Sequence, residues 1–191
     1  MKVLGLNRVE LVIDKDTFEP AIRKFNDAVR QAPRFRREDQ TEENTTYRIG
    51  YAGDDLVSVR FDTYEFTLGA VNPSTSVRAV TVNMRTGAPL SAADVFRPDS
   101  KWADFLTQRA LAEITRQLKE EDETALAPSP DAVRAAIASP SNWLVSDQAL
   151  VLLFPPLSLG NSVIGPHEVS VPWSELRPYL NPNGPGPIKA G

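Results

Sequence analysis

Apolar and polar positions change period several times along the chain, and each change marks a new element. In residues 3–13, Val9, Leu11 and Ile13 alternate with polar neighbours, the period of a β-strand. Phe18, Ile22, Phe25 and Val29 then recur at helical spacing behind an Asp16-x-x-Glu19 capping box. Residues 16 to about 31 are therefore predicted as an amphipathic helix. Pro20 fits its first turn, where a missing N–H has no carbonyl to serve. Residues 34–44 are polar, charged and aperiodic, which predicts a loop.

Three strands are expected next. Residues 46–52 lead into a Gly53-Asp54-Asp55 turn. In residues 56–68, Leu56, Ser58, Arg60 and Asp62 alternate with Val57, Val59, Phe61 and Thr63, the pattern of an antiparallel strand buried on one side. Tyr64 and Phe66 shift the apolar face and predict a bulge or bend there. Residues 77–84 form the third strand, closed by a turn at Arg85-Thr86-Gly87. Asp99 or Ser100 is expected to cap a long helix carrying Trp102, Phe105, Leu106, Ala110, Ile114 and Leu118 on one stripe. The helix should fray over Glu120, Glu121, Asp122 and Glu123, whose charge opposes the negative end of the helix dipole. Ser129-Pro130-Asp131 reads as a cap followed by proline at the first helical position, opening a short helix to about Ala138.

Residues 142–145, 149–154 and 168–171 are predicted strands, and 174–180 a turn or short helix. The Pro/Gly-rich residues 181–191 are predicted as a disordered tail. Hairpins and helices in irregular alternation give an α+β class: a mostly antiparallel sheet with two long helices packed on one face.

Composition narrows the chemistry. A chain of 191 residues buries roughly 70% of its unfolded surface, so neither metal nor disulfide is needed for folding. The absence of cysteine excludes disulfides, a thiol nucleophile and thiolate zinc sites. A net charge of -4 lacks the basic footprint of a nucleic-acid binder. No apolar run approaches the ~18 residues of a membrane span. At the N-terminus Asn7, Arg8 and Glu10 interrupt any leader-like apolar stretch. The chain is thus either cytoplasmic or begins after a removed leader.

No phosphate-binding glycine loop or nucleophile elbow occurs. His167, the sole histidine, would need a nucleophile or an orienting carboxylate to act as a base. Its neighbour Glu168 points to the opposite strand face. Glu120 to Glu123 lacks the alternating oxygen ligands and glycine turn of a calcium loop and reads as a solvated helix end. Arg34, Arg36 and Arg37 beside Phe35 make too short a basic patch for nucleic acid. No catalytic residue, metal or cofactor is expected.

A set of short motifs then occurs in a fixed order. Leu56-Val57-Ser58-Val59 is followed by Tyr64 and Gly69-Ala70. Asn83-x-x-Thr86-Gly87-x-x-Leu90-x-x-x-Asp94-x-Phe96 comes next, and Gly165-Pro166-x-x-Val169-x-Val171-Pro172-Trp173 closes the series. The order and spacing resemble the RsiV-like extracytoplasmic domain, shared by lysozyme-sensing anti-sigma factors, some peptidoglycan deacetylases and secreted bacterial antigens. The likeness runs from about Val9 to Tyr179. It implies a single domain over residues 1–180, with residues 56–179 richest in the signature. One departure is local: the family's Gly-Ala-His-Pro is here Gly69-Ala70-Val71-Asn72-Pro73.

The resemblance implies a noncatalytic binding or sensing domain at the bacterial cell envelope, periplasmic or secreted, acting on lysozyme-like proteins or peptidoglycan; the adequate core predicts a monomer. Alternatives are a secreted effector or antigen that binds a host protein, and a hydrolase using His167. The expected binding residues are Tyr64, Asn72, Asp94 and Trp173, with the aromatic side chains as anchors. An acidic chain also complements a cationic lysozyme-like partner, which favours encounter.

Overall fold

The computed structural model describes Asp27 and residues 41–122, 124–160 and 166–190. Its strands are β1 (Thr41–Ala52), β2 (Leu56–Thr67), β3 (Ser74–Asn83), β4 (Ala88–Pro89), β5 (Trp143–Val145), β6 (Ala149–Phe154) and β7 (His167–Pro172). Its helices are α1 (Ala92–Val95), α2 (Trp102–Glu121), α3 (Pro130–Ile137) and α4 (Trp173–Leu176), with 3-10 turns at Pro140–Asn142 and Gly186–Ala190. The class is α+β with antiparallel pairing, as the hairpin pattern implied. The strands divide into two sheets, β1-β2-β3-β4 and β5-β6-β7. The predicted strand over 3–13 and helix over 16–31 lie outside the described residues, apart from Asp27, which is helical.

Alternation along β6 and β7 builds the layers. Leu150, Leu152, Phe154, Val169 and Val171 join Leu106, Ala110, Ile114 and Leu118 of α2 and Val133 and Ile137 of α3 in the main core. Trp143 anchors it: Phe96 and Trp102 stack at 4.5 Å, and Trp143 meets each edge-on at 5.7 Å. On the opposite face of this sheet, Leu144 and Leu153 pack against Val77 and Ala79 of β3. The first sheet thus lies on the second, and the second on α2 and α3.

This stacking corrects the reading of β2 as a one-sided strand. Val57, Val59 and Phe61 are buried on one face, and Ser58 and Arg60 are buried on the other. The polar side chains are tolerated because each finds a partner. Val145 N–H donates to Ser58 Oγ at 2.9 Å, and Thr81 Oγ1 donates to the Trp143 carbonyl at 3.0 Å. The two hydroxyls lie 2.7 Å apart. Because the Thr81 proton is committed to Trp143, Ser58 is the donor between them. A directed chain of three hydrogen bonds thus ties the backbone of β5 to paired positions of β2 and β3. Arg60 adds a second tie, binding Asp62 through both carboxylate oxygens and Glu168 on β7.

Other expectations shift for local reasons. Residues 41–44, expected in a loop, extend β1, because Thr41 to Asn44 pair with Thr67 to Tyr64 and complete the ladder along β2. The irregularity expected near Tyr64 and Phe66 falls instead between Ile49 and Tyr51 of β1. There a Cβ on Gly50 would stand 2.5 Å from the Val145 carbonyl oxygen, so only glycine permits this approach of β1 to β5. Ser100 does not cap α2; its hydroxyl donates to the Arg97 carbonyl at 2.7 Å, and Lys101 occupies the N-cap. Ser129 caps α3 as expected, accepting from Ala132 N–H at 3.1 Å.

Residues 181–190, expected to be disordered, are packed. Asn181 N–H donates to the Val95 carbonyl at 2.8 Å, Ile188 is 1% exposed, and Gly186 N–H donates to Asp55 Oδ1 at 2.7 Å. Burial opposes ionisation of Asp55, but hydrogen bonds from Arg85, Gly186 and Lys189 outweigh it and hold its pKa below the ordinary value. Ile188 supplies the apolar anchor that composition alone hid.

Replacing Ser58 with alanine leaves the buried Val145 N–H without an acceptor, a loss of about 1–3 kcal/mol. Urea unfolding of Ser58→Ala should show that destabilisation; stability equal to the parent would mean that the chain of hydroxyls does not join the sheets.

Candidate functional site

The signature residues Asp94 and Trp173 come first, because the sequence nominated them for binding. The Asn83 carbonyl accepts Gly87 N–H at 2.7 Å, in a turn where Gly87 takes a positive φ of 73° that suits glycine. Asn83 Nδ2 donates to Asp94 Oδ1 at 3.2 Å. Asp94 Oδ2 accepts Ser91 N–H at 2.8 Å, closing a capping box on α1. Leu90 and Phe96 are buried. Asp94 therefore joins the β3–β4 turn to α1. Trp173 is 5% exposed, and its indole Nε1 donates to the Ser146 carbonyl at 3.0 Å. Both residues hold the scaffold.

Tyr64 and Asn72 lie elsewhere. Leu56 pairs with Asn83 at one end of the β2–β3 ladder, and Glu65 with Ser74 at the other. At ~3.4 Å per residue these ends are about 30 Å apart. The four nominated residues are thus not brought together. Burial fades toward the far end of both strands. There Tyr64 is 47% exposed, Leu68 67% and Val71 94%, around a turn in which Gly69 has a φ of 92° and Asn72 is exposed.

The same end is acidic. Glu42 and Glu43 of β1 are exposed and pair with Phe66 and Glu65. Glu43 directly opposite Glu65 is a like-charge cross-strand pair, and Arg78 of β3 interacts electrostatically with Glu43 and offsets part of the repulsion. Sequence reading missed Leu68 and Val71. The available signal was two large apolar residues inside a segment otherwise made of turn formers, Gly69, Asn72 and Pro73.

His167 forms a separate locality at the start of β7. It is 6% exposed, and its Nδ1 lies 3.1 Å from Gln117 Oε1 on α2. Glu168 is turned away and binds Arg60 and Arg48. The hydrogen bonds of the described residues bring neither a nucleophilic hydroxyl nor a carboxylate to the imidazole. With Gln117, Glu120, Glu121, Pro166 and Glu168 it lines an open cleft of about 400 Å³. Glu113, one turn before Gln117, accepts Arg116 at 2.6 Å and Gln117 Nε2 at 3.0 Å. These bonds, the first from Arg116, hold its pKa down at about 2.

The layered antiparallel architecture has relatives. Residues 93–174 match the model of a family described as a protein of unknown function, DUF3298. No curated protein matches the chain. A member of the DUF3298 family from Bacteroides fragilis NCTC 9343 has a similar crystal structure, with a TM-score of 0.56 at 17% identity over 79% of this chain and 59% of that one. A DUF3298 family protein from Pseudomonas aeruginosa PAO1 gives a TM-score of 0.53 at 16% identity over 75% of this chain and 64% of that one. This chain therefore spans less than two thirds of either protein. At such identities the likeness establishes a shared fold.

The depressed Glu113 pKa gives a signed pH dependence. A carboxylate whose folded value lies below its unfolded 4.5 stabilises the fold above that value, and the contribution fades as pH falls from about 4.5 through about 2. A carboxylate-detected NMR titration should place the Glu113 midpoint near 2; a midpoint near 4.5 would show that the Arg116 and Gln117 bonds do not persist in solution.

Proposed function

We propose that the chain is a noncatalytic extracytoplasmic binding domain that docks a cationic, lysozyme-like protein on the projecting end of the β2–β3 hairpin. One observation carries the reading: Tyr64, Leu68 and Val71 are exposed at the end of the hairpin that also carries Glu43 and Glu65, the glutamates on the sheet face opposite Tyr64. Exposed apolar side chains rimmed by polar groups mark interaction surfaces. An aromatic ring supplies the anchor that such interfaces favour, and a cationic partner adds to the partial compensation that Arg78 gives Glu43. The resemblance of the signature motifs to the RsiV-like domain supports the same partner class. Of the residues first nominated, Tyr64 and Asn72 belong to this surface, and Asp94 and Trp173 to the scaffold away from it. The domain works as a monomer, leaving this end free.

Calorimetry with lysozyme at low and moderate salt tests the assignment. Binding should weaken as salt rises, and Val71→Asp should weaken it about tenfold or more by putting a charge into the apolar contact. No heat at either ionic strength, or unchanged affinity in Val71→Asp, overturns the reading. Heat with peptidoglycan fragments and none with lysozyme would also overturn it.

A further inference from the structure

β7 closes the second sheet and has a sheet neighbour, β6, on one side only. Two hydrogen bonds fix which of its residues face outward. Just past the strand, Trp173 N–H donates to the Gln148 carbonyl at 3.1 Å. Trp173, and with it Val171 and Val169 at a period of two, therefore turn their backbone groups toward β6. From the other side, the Glu168 carbonyl accepts Gln117 Nε2 of α2 at 3.0 Å. Glu168, Ser170 and Pro172 thus present their backbone groups to the outside. Pro172, which has no N–H, stands where a strand edge tolerates proline.

Gln117 occupies this edge at Glu168. Beyond it, the Ser170 N–H and carbonyl and the Pro172 carbonyl make no hydrogen bond among the described residues, and Ser170 is exposed. Ser170 and Pro172 border an open cleft of about 490 Å³, whose lining includes Trp173, Pro187, Asp147 and Arg177. Asp147 and Arg177 are exposed, and neither makes an ion pair among the described residues. Open strand backbone and two uncompensated charges of opposite sign therefore share one cleft.

We infer that this edge accepts an extended segment of a partner protein as an added strand, its backbone pairing with Ser170 while an acidic and a basic side chain meet Arg177 and Asp147. An unpaired strand edge is a template for another chain. Strand addition draws affinity from main-chain hydrogen bonds and specificity from the side chains beside them. The two charges select a segment of mixed sign, because a purely acidic or purely basic one would meet repulsion from Asp147 or from Arg177. The added strand is short: Gln117 stops it at Glu168, and the chain turns into α4 at Trp173.

Amide NMR of the full chain tests this with the blocked peptide acetyl-Thr-Glu-Thr-Lys-Thr-amide. Titration should move the Ser170 N–H resonance downfield and slow its exchange with solvent. The same peptide N-methylated at every residue has no N–H to donate and should leave Ser170 unchanged. Arg177→Gln and Asp147→Asn should each weaken the response about two- to fivefold, the range for one solvated charge pair. No shift at Ser170, an equal shift with the N-methylated peptide, or an affinity unchanged in either variant would overturn the assignment. The readout lies on β7 and uses no lysozyme, so it stands or falls separately from docking at the hairpin.

Discussion

The hydrogen bonds that run from Val145 N–H through Ser58 and Thr81 to the Trp143 carbonyl fix how the two sheets meet. β5 is an edge strand of three residues, and its outward backbone groups would otherwise be buried without partners. Buried backbone groups must be paired, so the hydroxyls of β2 and β3 set the place where the second sheet docks. Gly50 lets β1 approach the same strand, and Arg60 repeats the tie at Glu168. Once the sheets are seated, the remaining face of β6 and β7 is free for α2 and α3, and the Trp143 cluster closes the core.

Where periodicity was simple, the sequence disclosed the element. The stripe Leu106, Ala110, Ile114 and Leu118 gave α2, and Ser129-Pro130 gave the start of α3, because each follows from contacts within the segment. Features that depend on distant partners were hidden. Ser58 and Arg60 look like a solvent face until β5 and β7 are placed against them. Thr41 to Asn44 look like loop until a twelve-residue β2 offers the ladder to extend. Ile188 looks like part of a flexible tail until Asp55 and its surroundings receive it.

The candidate site was legible in the same partial way. All four nominated residues were read as groups near turns, and of these Tyr64 and Asn72 are exposed at the hairpin end. Asp94 and Trp173, like Tyr64, stand in the signature motifs, and motif position reports the scaffold as readily as the surface. The side chains of Asp94 and Trp173 are spent on a capping box and on the Ser146 carbonyl. Polar signature residues bind the protein to itself, and the exposed apolar residues at the far hairpin end remain available to a partner. About nine ladder steps of β-sheet, roughly 30 Å, separate the buried signature end of the hairpin from the exposed end to which the proposal assigns recognition.

That separation is tested most directly by measuring urea stability and lysozyme affinity together for two variants, Asp94→Ala and Tyr64→Ser. Asp94→Ala removes the N3 carboxylate of the α1 capping box and its bond from Asn83 and should cost about 1 kcal/mol of stability with affinity unchanged. Tyr64→Ser should leave stability within about 0.5 kcal/mol, as surface changes do, while affinity falls. Lost affinity in Asp94→Ala at full stability, with Tyr64→Ser binding like the parent, would contradict the account.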